Sequence, residues 1–164
     1  NILDKPFILS TIFAYVPQSV YLLNDSIKNN ITFGEDVDVT KLKKAIRLAQ
    51  LSSFVERAPN GIDTIVGERG TKISGGQIQR IGIARAIYHE SEILIFDEST
   101  NALDLKSENK IIEEIKALKV SKTIVVISHK LSNLNICDKV YELKEGKLEL
   151  KKIYWKILLK KFIL

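Results

Sequence analysis

An α/β fold built on a parallel sheet is predicted by three features: continuous apolar runs, the polar residues ending each, and a helical stretch between the first two. The runs are Ile12–Val16, Ile93–Phe96 and Ile124–Ile127. Unbroken runs of this length predict strands buried on both faces, as in sheets whose connections are helices. Pro17-Gln18, Asp97-Glu98 and Ser128-His129 follow at once. Ligands of open α/β sheets bind outside the carboxyl ends of the strands, so these polar pairs are the first candidates for chemistry.

The helical elements follow from periodicity. Thr40 is expected to cap a helix with Leu42, Ala45, Ile46 and Ala49 on one face. Ser74 is expected to cap a second, with Ile78, Ile81, Ala84 and Ile87 recurring along it. A third is predicted from about Ser107 to Lys119, showing Ile111, Ile112, Ile115 and Leu118 inward. Alternation from Val140 to Leu150 around Glu145-Gly146 reads as a hairpin.

Composition bounds the function. A chain of 164 residues, 45% hydrophobic and 27% charged, holds one globular domain with a real core. Residues 151–164 carry five lysines and no acid, so the net charge of +5 belongs wholly to that segment. The rest is balanced and has no basic stripe for nucleic acid. No apolar run approaches the roughly 20 residues that cross a bilayer, and no signal peptide is visible at the start. The single Cys137 excludes an internal disulfide.

Two segments carry specific chemistry. In Ile73-Ser74-Gly75-Gly76-Gln77 a serine and two glycines open a helix, so N–H groups and the positive dipole end face outward, an arrangement that attracts anions. In Glu92–Glu98 adjacent carboxylates end an apolar strand and point to different sides. Asp97 is expected to hold Mg²⁺, directly or through water, and Glu98 to polarise an attacking water. His129 and Gln18 gain meaning only from their order relative to these two segments.

That order resembles the nucleotide-binding domain of ABC transporters. Tyr15-Val16-Pro17-Gln18 resembles the Q-loop, Ile73–Gln77 the family signature with isoleucine for leucine, and Ile93–Glu98 the Walker B strand. Ser99-Thr100-Asn101-Ala102-Leu103-Asp104 resembles the D-loop, and Ile127-Ser128-His129 the switch-histidine loop. The match covers roughly residues 12–150. Asp25–Gly34 and Val66-Gly67-Glu68-Arg69-Gly70 are similar to the segments that distinguish exporters, the latter being the X-loop.

The resemblance implies a P-loop NTPase-like parallel sheet core with an inserted helical subdomain. Residues 1–33 would be partial core with the Q-loop, 34–90 the helical subdomain, 91–150 the returning core, and 151–164 an atypical basic tail. It implies ATP and Mg²⁺ as cofactors and a head-to-tail dimer with a second nucleotide-binding domain. It also implies attachment to exporter transmembrane domains at the cytoplasmic face of a membrane. Glu98, His129 and Gln18 would be the catalytic set, with Asp97 and Gln18 on the metal. Ser74, Gly75, Gly76 and Gln77 would cover the γ-phosphate of the opposite subunit's ATP, and Asp104 would bridge the two sites.

The sequence departs from this pattern in two places. It contains no G-x-x-x-x-G-K-[ST] run; its one Gly-Lys pair, Gly146-Lys147, is followed by leucine. With Gln18 so near the start, the phosphate-binding loop and the first strand and helix of the core are expected to lie before Asn1. The tail Lys151–Leu164 reads either as a basic amphipathic membrane-surface helix or as unrelated sequence after a disrupted reading frame. A truncated, inactive remnant or interaction module is therefore the alternative to a working ATPase subunit.

Overall fold

The computed structural model describes residues 12–34, 36–100, 103–118, 121–130, 134 and 137–153. Three strands form a parallel sheet in the order β1 (Phe13–Val16), β2 (Ile93–Asp97), β3 (Thr123–Ile127), with β2 in the centre. Val16 pairs with Phe96, and Asp97 with Ile127, so the strands end almost level. All three predicted strands form, but their burial alternates. Val16, Leu94, Phe96, Ile124 and Val126 are buried, while Phe13, Tyr15 and Ile127 on the opposite face are exposed. Helices cover one face of the sheet among the described residues; an apolar run identifies a strand without revealing which of its faces is covered.

Between β1 and β2 the chain is helical. Helix α1 (Ile27–Thr32), not anticipated from periodicity, is capped by Ser26, whose hydroxyl accepts from the Asn29 amide at 3.0 Å. It ends at Phe33 in the left-handed region, φ 57°. Helix α2 (Val39–Leu48) buries Leu42, Ala45 and Ile46 as expected, but its cap is Asp38 rather than Thr40. The Asp38 carboxylate accepts from the amides of Thr40 and Lys41 at 2.9 and 3.0 Å, which places Thr40 inside the first turn. Helix α3 (Ser52–Arg57) has only six residues and no side-chain cap, too short for periodicity to register.

Helix α4 (Gly75–Tyr88) is the centre of the packing. Ser74 caps it through a complete capping box, accepting from the Gln77 amide while the Gln77 side chain accepts from the Ser74 amide. Ile81, Gly82, Ile83, Ala84, Ala86 and Ile87 are all buried, because α1, α2 and β1 pack around the helix. From α4, the guanidinium of Arg85 donates to the Asn30 carbonyl at 2.8 Å and the Tyr21 carbonyl at 3.1 Å. It also lies 4.5 Å from the centre of the Phe33 ring. Burial pushes the Arg85 pKa down to about 10, leaving it cationic at neutral pH.

Helix α5 (Leu105–Leu118) begins two residues before the predicted Ser107 and buries Ile111 and Ile115; Ile112 and Leu118 are half-buried, and Lys119 lies outside the described residues. The predicted hairpin forms from β4 (Lys139–Lys144) and β5 (Lys147–Ile153). Glu145 and Gly146 both take positive φ, 49° and 76°, as a two-residue turn that follows strand twist requires. Lys151–Ile153, counted with the tail on sequence, continue β5; a helix starting there is excluded, and residues 154–164 lie outside the described ones.

Two stability outcomes follow. A Cβ on Gly82 would stand 2.5 Å from Cγ2 of Val20, a stiff side chain with little room to yield. Gly82→Ala is expected to lower unfolding free energy by about 1–3 kcal/mol in urea titration. A Val20→Ala change in the same molecule should recover part of that loss, whereas additive losses would mean the two do not meet. Ser74→Ala removes the capping box and is expected to cost about 1 kcal/mol, read in the same titration.

Candidate active site

The level ends of the three strands set the geometry. Tyr15 stands opposite Ile95, so Asp97, two residues on, lies on the same face of the neighbouring strand. The Tyr15 hydroxyl accordingly donates to Oδ2 of Asp97 at 2.7 Å. That hydrogen bond, followed by desolvation and the carboxylate's charge, raises the Tyr15 pKa.

Glu98 leaves β2 in a left-handed conformation, φ 46°, uncommon for a residue with a Cβ. Such strain costs on the order of 1–3 kcal/mol and persists only where surroundings impose it, most often at functional sites. Here the Glu98 amide donates to the Ile127 carbonyl at 2.9 Å, hooking the end of β2 onto β3. The turn directs the Glu98 carboxylate toward the end of β3, where Nε2 of His129 lies 2.8 Å from Oε1. The glutamate side chain is 17% exposed and the imidazole 93% exposed, so one member is anchored and the other faces open solvent. Glu98 and His129 thus meet, while Asp97, beside them at the strand end, is engaged by Tyr15.

Gln18 sits in the bend after β1 at the same end of the sheet and is exposed. Its carbonyl accepts from the side-chain amide of Gln79 on α4, which ties the bend to the signature helix. Ser74 and Gln77 are engaged with each other in the capping box. Gly75 has no atom within 4 Å of where its Cβ would be, so nothing in this chain's packing demands a glycine there. Asp104 is engaged at the start of α5: its oxygens accept from the Ser107 amide at 3.0 Å and meet Arg80 of α4 at 3.5 Å. The Ser107 hydroxyl, then its amide, then the Arg80 charge hold the Asp104 carboxyl below its usual range.

The donor set fits Mg²⁺ in part. Asp97 and Gln18 supply hard oxygen atoms at one sheet end, and Mg²⁺ is commonly held by one or two carboxylates with substrate phosphates and water. No cluster of three or more His, Cys, Asp or Glu among the described residues could hold a metal alone. A phosphate cradle is a different matter: Gly146-Lys147 lies at the β4–β5 turn, and the 164 residues offer no other Gly-Lys pair. Tyr15 stands in the Q-loop-like run, and Gln79 and Arg80 follow the signature, but the sequence assigns none of the three a contact at the site. Only the strand register and the placement of α4 connect them to the site.

Comparison with known proteins accords with this geometry. The family model described as "ABC transporter" matches residues 7–101. An ATP-dependent lipid A-core flippase of Vibrio cholerae is 42% identical over 138 residues, 83% of this chain and 24% of that protein. ABC transporter B family member 21 of Arabidopsis thaliana is 43% identical over 134 residues, 81% of this chain and 10% of that protein. A solved structure of a bacterial Atm1-family ABC exporter with ATP bound superposes with a TM-score of 0.81 at 38% identity, over 86% of this chain and 25% of that one. The chain thus spans about a quarter or less of the proteins it matches. No helix among the described residues is long and apolar enough to cross a membrane. The chain belongs to the ABC transporter family.

Proposed function

We propose that this chain is the part of an exporter's nucleotide-binding domain that positions the attacking water and senses the γ-phosphate. The carrying observation is the strained Glu98 at the end of β2, its carboxylate 2.8 Å from His129. Glu98 acts as general base and Asp97 with Gln18 holds Mg²⁺, which neutralises charge on the phosphates when bound. His129 reads the γ-phosphate. Residues 34–90 form the helical part, and residues 1–33 and 91–150 belong to the core.

The signature turn at Ser74–Gln77 covers the γ-phosphate of ATP held by a second nucleotide-binding domain, packed head to tail. The open space beside Gly75 supports that role, since a partner's phosphate needs room and exposed N–H groups there. Asp104 bridges the two sites. Transmembrane domains at the cytoplasmic membrane face convert closure and opening of this dimer into export, and they select the cargo. The relatives' names, a lipid A-core flippase and an Atm1-family exporter, support the export reading.

A second reading rests on one observation, the lack of any G-x-x-x-x-G-K-[ST] run in these residues. By themselves the 164 residues then bind no triphosphate well enough to turn it over, because Asp97 and Glu98 repel phosphate without a cradle of N–H donors and lysine. Phosphate release from MgATP should be undetectable for the purified chain and present once a phosphate-loop half is grafted upstream. In the graft, Glu98→Gln is expected to reduce turnover at least ~100-fold while ATP binding persists. Near-normal turnover in that variant would remove Glu98 from its role. Gly75→Asp in both subunits should block ATP-driven dimer closure, read by sedimentation; unchanged closure would refute the assignment of the signature to the opposite site.

A further inference from the structure

Glu108 lies near the start of α5 and is only 3% exposed. A carboxylate that deep stays ionised only with partners, and here they come from two different loops. Thr100 donates its hydroxyl to Oε1 at 2.8 Å. The Lys130 ammonium donates to both oxygens, at 3.0 Å each. Thr100 lies two residues after Glu98, and Lys130 is the residue after His129. The Lys130 amide also donates to the Ser128 hydroxyl at 3.0 Å, which closes the second loop upon itself.

We propose that Glu108 is a positioning residue that sets the spacing between Glu98 and His129 by gripping the loop that follows each. The inference rests on the reading of Glu98 and His129 given above. The direct Glu98–His129 contact cannot set that spacing itself. The imidazole is 93% exposed, so a single contact made through it restrains the spacing weakly. In front, the strand ends are joined by the pairing of Asp97 with Ile127 and by the Glu98 amide on the Ile127 carbonyl, ties that stop short of His129. Behind, the buried carboxylate clamps both loops through charge-assisted hydrogen bonds, which are short and directional. Loss of either partner leaves a buried charge incompletely satisfied and frees one loop.

The test uses Lys130→Met and Thr100→Val, which keep side-chain bulk, with Thr100→Ser as the conservative control. In the 164-residue chain, amide hydrogen exchange at Glu98 should speed up about ten-fold in both variants while the interior amides of β2 keep their protection. Thr100→Ser should exchange like the parent. In the grafted, ATP-hydrolysing form, the first two variants should lower kcat about ten-fold, as small misplacements of reacting groups do. KM for ATP should stay within about two-fold, and Thr100→Ser should restore most of kcat. Exchange rising equally throughout β2 would show a merely structural role and overturn the proposal. So would an unchanged kcat in a protein that Glu98→Gln inactivates. If Glu98→Gln itself retains turnover, the base assignment fails instead, and the exchange at Glu98 still decides whether Glu108 holds the two loops.

Discussion

Parallel pairing on both sides of β2 is the constraint on which the site depends. Its register makes three strands finish together, so the residues just past Val16, Phe96 and Ile127 share one edge although they are far apart in sequence. Hydrogen bonding fixes that register, and a slip of one residue would exchange the two faces of a strand. Leu94 and Phe96 would then turn away from the helices, and Asp97 would turn into them. Burial of the apolar face and correct aim of the carboxylates are therefore one requirement.

The helical part is organised by a second requirement, that α4 be enclosed. A helix buried nearly all round needs neighbours on several sides, and α1, α2 and β1 supply them. Close approach at Val20 is possible because Gly82 has no side chain. Arg85 adds a charged tie at low exposure, using carbonyls that the end of α1 and the chain before it leave without helical partners. Through Gln79 and Arg80 the same helix reaches the bend at Gln18 and the start of α5 at Asp104. The signature turn, the Q-loop-like bend and the D-loop-like segment are thus mechanically joined by one rigid element.

Strain at Glu98 and order around it are complementary. A residue with a Cβ holds φ 46° only because the backbone hook to Ile127 and the packing behind it over-determine the turn. The conformation sends adjacent carboxylates in separate directions, Asp97 toward Tyr15 and Glu98 toward His129. Two acids side by side in sequence thereby avoid competing for the same partner, and each has its own electrostatic surroundings.

Much of this was legible in the residues alone. Apolar run length identified β1, β2 and β3, three-residue recurrence identified α2, α4 and α5, and Glu145-Gly146 identified the hairpin. The ordered motifs named Gln18, Ser74–Gln77, Asp97, Glu98, Asp104 and His129, because such signals are local and carried by residue type. Helices of six residues escaped, since α1 and α3 are too short for a period to repeat. The cap of α2 is Asp38 rather than the expected Thr40, since both residue types can cap and only backbone geometry chooses between positions two apart. Which face of the sheet is covered, and that Tyr15 meets Asp97, were decided by the tertiary structure. So was the convergence of Thr100 and Lys130 on Glu108. These contacts join residues from 8 to 82 positions apart, and their energies depend on burial and register that no single segment of sequence contains.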